Sequence, residues 1–317
     1  MFELVFLGTS SSAPSVKRGL SGHIIMHRHY RFLLDAGEGT QRQILKSGLG
    51  FKRLNTVLLT HSHLDHILGL AGLTSTLSRW ENLDSLDIYG GRATLTRVHN
   101  LLYRVVFPGK ISPPLSINLH QLESGQVIVE DDVFRLTAFP VEHRGPDCFG
   151  YLFEERAHRP FLADRALELG VPMGPERKQL VRGESITLPD GRLITPDDVL
   201  GPAVPGTKYV HIGDVGRTDT LHDICRDAST LVIESTYLEA EVDMARQFGH
   251  MTAAKAAYLA RDADVKTLIL THLSRRYRVR DIYNEACAIF PNTYVARDLD
   301  HFIISRDGAE RQKKNNE

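Results

Sequence analysis

An α/β fold with helix-covered sheets is predicted by three features of this 317-residue chain. Short Val/Ile/Leu runs such as "NTVLLT", "STLVIEST" and "VKTLILTH" read as strands buried on both faces, which need helices above and below. Stretches of helical apolar spacing, such as "TAAKAAYLARDA", alternate with them. Finally, several apolar runs end in His or Asp, so polar chemistry collects at one sheet edge, where α/β folds place their sites.

Taken in order, "ELVFLG", "HIIMHR" and "RFLLDAG" read as strands, "GTQRQILKSG" as a helix, and "NTVLLT" as a buried strand. "ILGLAGLTSTLSRW" has helical spacing, "LDIYG" strand character, and "ATLTRVHNLLYRVV" helical spacing again. Alternating stretches around 115–120, 125–130 and 133–139 and the run "CFGYLFEE" complete a first half, about 1–156. A second half, about 207–305, repeats the rhythm. "KYVHIGD" is a strand, "TDTLHDICRDA" a helix and "STLVIEST" a strand. "TAAKAAYLARDA" is a helix capped by Thr252, "VKTLILTH" a strand and "VRDIYNEACAIF" a helix. Between the halves, about 157–206 is rich in Gly, Pro and charge, with little apolar periodicity, and reads as an inserted arm on a single domain. Residues 306–317 read as a flexible tail.

Composition narrows the function. A net charge of −1 excludes a strong whole-protein field for polyanions, leaving only local basic clusters: Lys17 and Arg18; Arg177, Lys178 and Arg182; Arg275, Arg276, Arg278 and Arg280. No apolar run approaches the roughly 18 residues of a membrane span. The start "MFELVFLGTS" carries Glu3 and no basic segment, so it reads as a strand and not a leader. Three scattered cysteines without a CxxC pair suit a reducing cytoplasm and argue against a thiolate metal site.

Metal chemistry is the strongest signal. After "NTVLLT" come His61, His63, Asp65 and His66 within six positions. "LTAFPVEH" ends in His143, "YVHIGD" in Asp214 and "LILTH" in His272. Imidazole and carboxylate suit zinc, with manganese a possible substitute. Seven candidate ligands exceed the needs of one tetrahedral ion and point to two ions sharing a carboxylate and a hydroxide. Two divalent ions, two aspartates and a hydroxide leave about one positive charge, favouring an anionic substrate.

"THSHLDH" resembles the signature of the metallo-β-lactamase superfamily, and the resemblance is closest to its ribonuclease Z family. It runs nearly end to end through "FLGTSSSAP", "LLDAGEGTQRQIL", "GVPMGP", "GDVGRT", "GHMTAAKAAYLA" and "LILTHLSRRY". The resemblance implies an αββα four-layer sandwich with an exosite arm, and a zinc-dependent endoribonuclease. Such an enzyme removes the 3′ trailer of precursor tRNA, leaving a 3′-hydroxyl on the tRNA and a 5′-phosphate on the trailer. By the same resemblance His61, His63 and His143 hold one metal, Asp65, His66 and His272 the other, and Asp214 bridges. Asp65 also accepts a proton from the attacking water, and His250 protonates the leaving oxygen. Ser274, Arg275 and Arg276 are implied near the phosphates, and Arg177, Lys178 and Arg182 on the arm; Thr252, at a helix start where free N–H groups bind phosphate, reads as a substrate contact as well as a cap. A cytoplasmic homodimer is implied as well, in which one subunit's arm holds the tRNA cut by the other.

Two departures from the family pattern are visible. "PSVKRGL" keeps Pro14 and Arg18, a candidate RNA contact, but has Val16 and Gly19 where the family has lysine and asparagine. "GDV" places Val215 where a hydroxyl usually stands beside the bridging aspartate. Two other readings stay open at this point. One is a superfamily hydrolase of a small phosphodiester, cyclic nucleotide, sulfate ester or lactone; the other is a non-catalytic RNA-binding scaffold.

Overall fold

The computed structural model describes residues 1–80, 83–109 and 115–313. They form two compact units, Met1–Glu154 with Thr207–Glu317, and Glu155–Gly206.

In the larger unit, β1 (Phe2–Gly8), β2 (Gly22–His27), β3 (Tyr30–Leu34), β4 (Thr56–Leu58), β5 (Ser85–Gly90) and β6 (Ser116–Gln121) belong to one sheet. A second sheet starts with β7 (Val127–Glu130), β8 (Phe134–Val141) and β9 (Cys148–Glu155). The smaller unit contains the hairpin β10 (Ile186–Thr187) and β11 (Leu193–Ile194). The second sheet then resumes with β12 (Lys208–His211), β13 (Thr230–Glu234), β14 (Thr267–Thr271) and β15 (Thr293–Val295). Last, β16 (His301–Ser305) and β17 (Gly308–Arg311) return to the first sheet. Among the described residues the strand orders are β17-β16-β1-β2-β3-β4-β5-β6 and β15-β14-β13-β12-β9-β8-β7.

Side-chain alternation builds the layers. On β1, Phe2, Leu4 and Phe6 face one way, joining Ile25, Phe32 and Leu34 against Phe134, Phe153, Tyr209 and Ile269 of the other sheet. The alternate residues Val5 and Leu7 face the other way, toward Ile44, Leu70, Leu73 and Leu77 on helices. On the second sheet's outer face, Val210, Leu231, Ile233 and Leu268 pack on Ala253, Ala256, Ala257 and Ala260. Small residues on helix Ala253–Asp262 let it lie close to the strands. The result is the αββα order, with apolar layers on both faces of each sheet.

Both halves of the sequence contribute to both sheets: β7–β9 of the first half lie in the second sheet, and β16 of the second half pairs with β1 in the register Phe2↔Ile304. Distant pairing of that kind has no local signature. The helix expected over 67–80 is split into Leu64–Ile67 and Leu70–Trp80. At the split Gly69 donates its N–H to Ala36 O at 2.8 Å. A Cβ on Gly69 would lie 2.0 Å from Gly37 O, so the chains meet there only because it is glycine. The helix expected over 218–228 shrinks to His222–Cys225. The expected tail is structured through Gly308–Arg311, where Ala309 is buried and the Arg311 guanidinium lies 5.2 Å from the Tyr294 ring centroid. Residues 314–317 of that tail lie outside the described residues.

The smaller unit is more ordered than its composition suggests. Its short helices Ala163–Glu168, Pro175–Val181 and Pro196–Val199 share a core of Ala166, Val171, Leu180, Ile186, Ile194 and Val199. Apolar residues spaced across turns escape a periodicity test yet still cluster. Among the described residues no helix is long and apolar enough to cross a membrane.

Candidate metal centre

Strand ends deliver every candidate ligand to one place in the larger unit. His61 follows β4, His143 follows β8, Asp214 follows β12, and His272 follows β14. His63 precedes the short helix Leu64–Ile67, which carries Asp65 and His66. Two groups of donors result, His61–His63–His143–Asp214 and Asp65–His66–His272, each with its atoms within 4.8 Å of one another. Asp214 stands between them. Its Oδ1 lies 3.2 Å from His272 Nε2 and 3.5 Å from His66 Nε2. Its Oδ2 lies 3.6 Å from His61 Nε2 and 3.7 Å from His143 Nε2. One carboxylate thus offers one oxygen to each group.

The next ring of residues fixes the tautomers. His66 Nδ1–H donates to Asp35 Oδ2 at 2.7 Å, and His143 Nδ1–H to Gly249 O at 2.7 Å. The Thr60 hydroxyl donates to Asp35 at 2.8 Å, so its lone pair accepts from His61 Nδ1–H at 3.0 Å. In the same way the Thr236 hydroxyl donates to Glu234 and accepts from His272 Nδ1–H at 3.0 Å. All four Nε2 atoms therefore keep their lone pairs for the centre.

The donor set fits a pair of cations. His63 Nδ1 lies 2.9 Å from His61 Nε2 and 3.4 Å from His143 Nε2, so three ring nitrogens converge on one point, as the ligands of a single ion do. Buried Asp214 Oδ1 has no hydrogen-bond partner among the described residues. Against the cost of burial, His272, His66 and His61 hold Asp214 well below the ordinary carboxylate range. Burial lowers His61 strongly and His63 to about 4, so both stay neutral. His66 goes the other way: despite burial, Asp214, Asp35 and Asp65 raise it. Three carboxylates around one imidazole call for a positive charge, which a metal supplies in place of a proton. Nitrogen and oxygen donors without thiolates suit zinc.

Beside the ligands lies a cleft of about 590 Å³, lined by Asp65, Asp214, His250, Ser274, Arg275 and Arg276 among others. His250 Nδ1 donates to Glu234 Oε1 at 2.9 Å. Burial opposes the imidazolium, but Glu234 prevails and raises His250 to about 9.

Other expected contacts lie elsewhere or are engaged. Thr252 is fully buried; its hydroxyl caps the helix through Lys255 N and donates to Glu239 at 2.6 Å, so its side chain is engaged within the fold. Arg18 turns inward to Ala296 O at 2.9 Å and to Thr9, and burial lowers its pKa. In the smaller unit Arg177 donates to Val171 O and Pro172 O at 3.1 Å, whereas Lys178 and Arg182 are exposed. Val215 packs in the core and its N–H donates to Glu234 at 2.8 Å, while Thr60 and Thr236 supply the hydroxyls near the ligands. Sequence reasoning missed Asp35, Glu234, Thr60 and Thr236, and the cleft arginines Arg97 and Arg144. Asp35 and Glu234 did carry a signal, since each is an acid at the end of an apolar strand.

A β-lactamase superfamily domain model matches residues 30–199. The ribonuclease Z of Bradyrhizobium diazoefficiens is 46% identical over 304 residues, covering 96% of this chain and 100% of the relative. That of Archaeoglobus fulgidus is 38% identical, covering 97% and 99%. The crystal structure of human tRNase Z, short form, superposes with a TM-score of 0.66 at 23% identity, covering 95% of this chain and 99% of that one. A diphosphatase of the PhnP family superposes with a TM-score of 0.64 at 15% identity, covering 96% and 99%, so the fold is shared more widely than any one substrate.

Proposed function

Because the chain belongs to the ribonuclease Z family of the β-lactamase superfamily, we propose that it is a zinc-dependent endoribonuclease that removes the 3′ trailer from precursor tRNA. The observation that carries this reading is Asp214, buried between two donor groups with one oxygen toward each. His61, His63 and His143 would hold one zinc and Asp65, His66 and His272 the other, with Asp214 shared. When bound, the ions lower the pKa of water toward about 7 and offset charge on the phosphate oxygens.

The chain's own groups do the rest. Asp65 is held ionised: burial opposes this, but His66 and His272 outweigh it. Its Oδ2 accepts the Ser12 N–H at 2.8 Å, which fixes the carboxylate to take a proton from the attacking water. His250, kept as an imidazolium by Glu234, gives its proton to the leaving 3′-oxygen. The tRNA then keeps a 3′-hydroxyl and the trailer a 5′-phosphate. Arg275 and Ser274 line the cleft and face the phosphate backbone; Arg276 lines it as well, with its guanidinium paired to Glu241 at 3.1 Å. Lys178 and Arg182 on the smaller unit grip tRNA by its backbone and take no part in the chemistry.

The working form is a homodimer in the cytoplasm, a compartment suited to the free thiols of Cys148, Cys225 and Cys287. Mixing arm-deleted subunits with His61→Ala subunits would restore cleavage if one subunit's arm serves its partner's site; no recovery would contradict that arrangement. For the activity itself, a precursor tRNA lacking CCA is incubated with and without chelator and the cut is mapped. Metal-dependent cleavage at the discriminator nucleotide is expected. Cleavage elsewhere, or cleavage indifferent to chelator, would contradict the reading.

A further inference from the structure

Most residues around the metal cleft are charged or polar, yet two large apolar side chains also line it, Leu64 and Phe248, at 59% and 38% exposure. Neither holds a metal, and leaving an aromatic ring in water beside an ion site forgoes burial worth having. Phe248 ends the helix Val242–Phe248, and Gly249 closes it in the left-handed conformation with φ +66°. The Arg144 guanidinium lies over the Phe248 ring, 5.6 Å from its centroid. That approach depends on the glycine: a Cβ on Gly249 would lie 2.7 Å from Arg144 Cγ and 3.5 Å from His143 Nδ1. The Gly249 carbonyl also accepts from His143 Nδ1. One backbone segment therefore fixes a metal-side histidine, an exposed ring and the cation on that ring.

We propose that Phe248, Arg144 and Leu64 form a nucleobase platform, on which one unpaired nucleotide next to the scissile phosphate stacks and so sets where the chain is cut. The proposal rests on the RNA-cleaving reading above. Single-stranded RNA is held by bases splayed onto aromatic rings and guanidinium planes, and every base has a face to offer. Arg144 supplies the plane and a charge for the backbone, Phe248 the ring, and Leu64 an apolar edge between His63 and Asp65. In the same cleft Arg275 is left for the phosphates, whereas Arg276 pairs with Glu241 at 3.1 Å and Arg97 donates to Ser62 O at 3.0 Å.

The test is a cycle between protein and substrate. Wild type, Phe248→Leu and Phe248→Trp are assayed on intact precursor tRNA and on precursors with one abasic nucleotide at each position flanking the cut. Leucine keeps the apolar volume but cannot stack, and zinc content measured on each variant checks that the site is intact. Phe248→Leu should lower kcat/KM on intact precursor by about 5- to 150-fold, the range for loss of one stacked base. The loss should vanish on the precursor abasic at the stacked position, and Phe248→Trp should restore activity on the intact one. A loss of equal size on every abasic precursor, or no loss at all, overturns the platform. Failure of wild type to cut intact precursor would instead overturn the ribonuclease reading.

Discussion

Asp35→Asn isolates what a buried carboxylate does for the metal centre. Asp35 is almost fully buried and accepts three hydrogen bonds, from Thr60 N at 2.8 Å, Thr60 Oγ1 at 2.8 Å and His66 Nδ1 at 2.7 Å. Its backbone is left-handed, φ +53°, a conformation asparagine adopts as readily as aspartate, so the substitution adds no strain. The introduced amide can still accept from Thr60 N through its oxygen. Its nitrogen, however, presents hydrogens to His66 Nδ1, which must then act as acceptor. The imidazole proton moves to Nε2, the atom aimed at the metal position. Loss of such an orienting partner typically weakens metal affinity about 10–100-fold. Replacing charge-assisted bonds by neutral ones costs the fold a further ~1–3 kcal/mol. Competition against a chromogenic zinc chelator measures the first effect, and calorimetry of the metal-free protein the second. Zinc affinity within twofold of wild type, in a variant that still melts cooperatively, would refute the tautomer argument.

Other outcomes follow from the same geometry. His250→Ala should keep both zinc ions and lose about 10²–10⁴-fold in kcat, the usual worth of a general acid; elemental analysis beside single-turnover kinetics checks both halves. Reversing Lys178 and Arg182 to Glu should raise KM for precursor tRNA and flatten the salt dependence of binding by about 0.7–0.9 for each phosphate no longer neutralised. An unchanged KM would remove the smaller unit from tRNA recognition. Truncation after Asp307 deletes β17 with buried Ala309 and the Arg311–Tyr294 stack, and at about 0.5–1.5 kcal/mol per missing hydrogen bond it should lower Tm measurably. A Tm equal to wild type would mean that this strand adds nothing.

The legibility of this protein in its sequence depends on distance along the chain. His61, His63, Asp65 and His66 crowd one strand end, and His143, Asp214 and His272 each end an apolar run, so the ligands could be read locally. Asp35 and Glu234 also end strands, but their use depends on register. Asp35 meets Thr60 and His66 because β3 lies parallel to β4 with Leu34 opposite Leu58, and one sequence does not encode that visibly. The same limit hid the return of β16 and β17 to the first sheet. Charge was the least reliable guide. Arg18 and Arg177 look like phosphate contacts in sequence, yet both guanidiniums donate to nearby backbone carbonyls. Arg144 stands outside any basic run and nevertheless lines the cleft, as does Arg97, whose guanidinium also donates to a backbone carbonyl, that of Ser62.

Everything proposed for catalysis depends on two cations sharing Asp214. A crystal structure of the zinc-loaded protein, with anomalous data on both sides of the zinc edge, decides the matter. Two anomalous peaks about 3.5–4 Å apart, one beside each Asp214 oxygen, are the expected result. A single peak, or an Asp214 carboxylate turned away from both donor groups, would rule the shared-cation arrangement out.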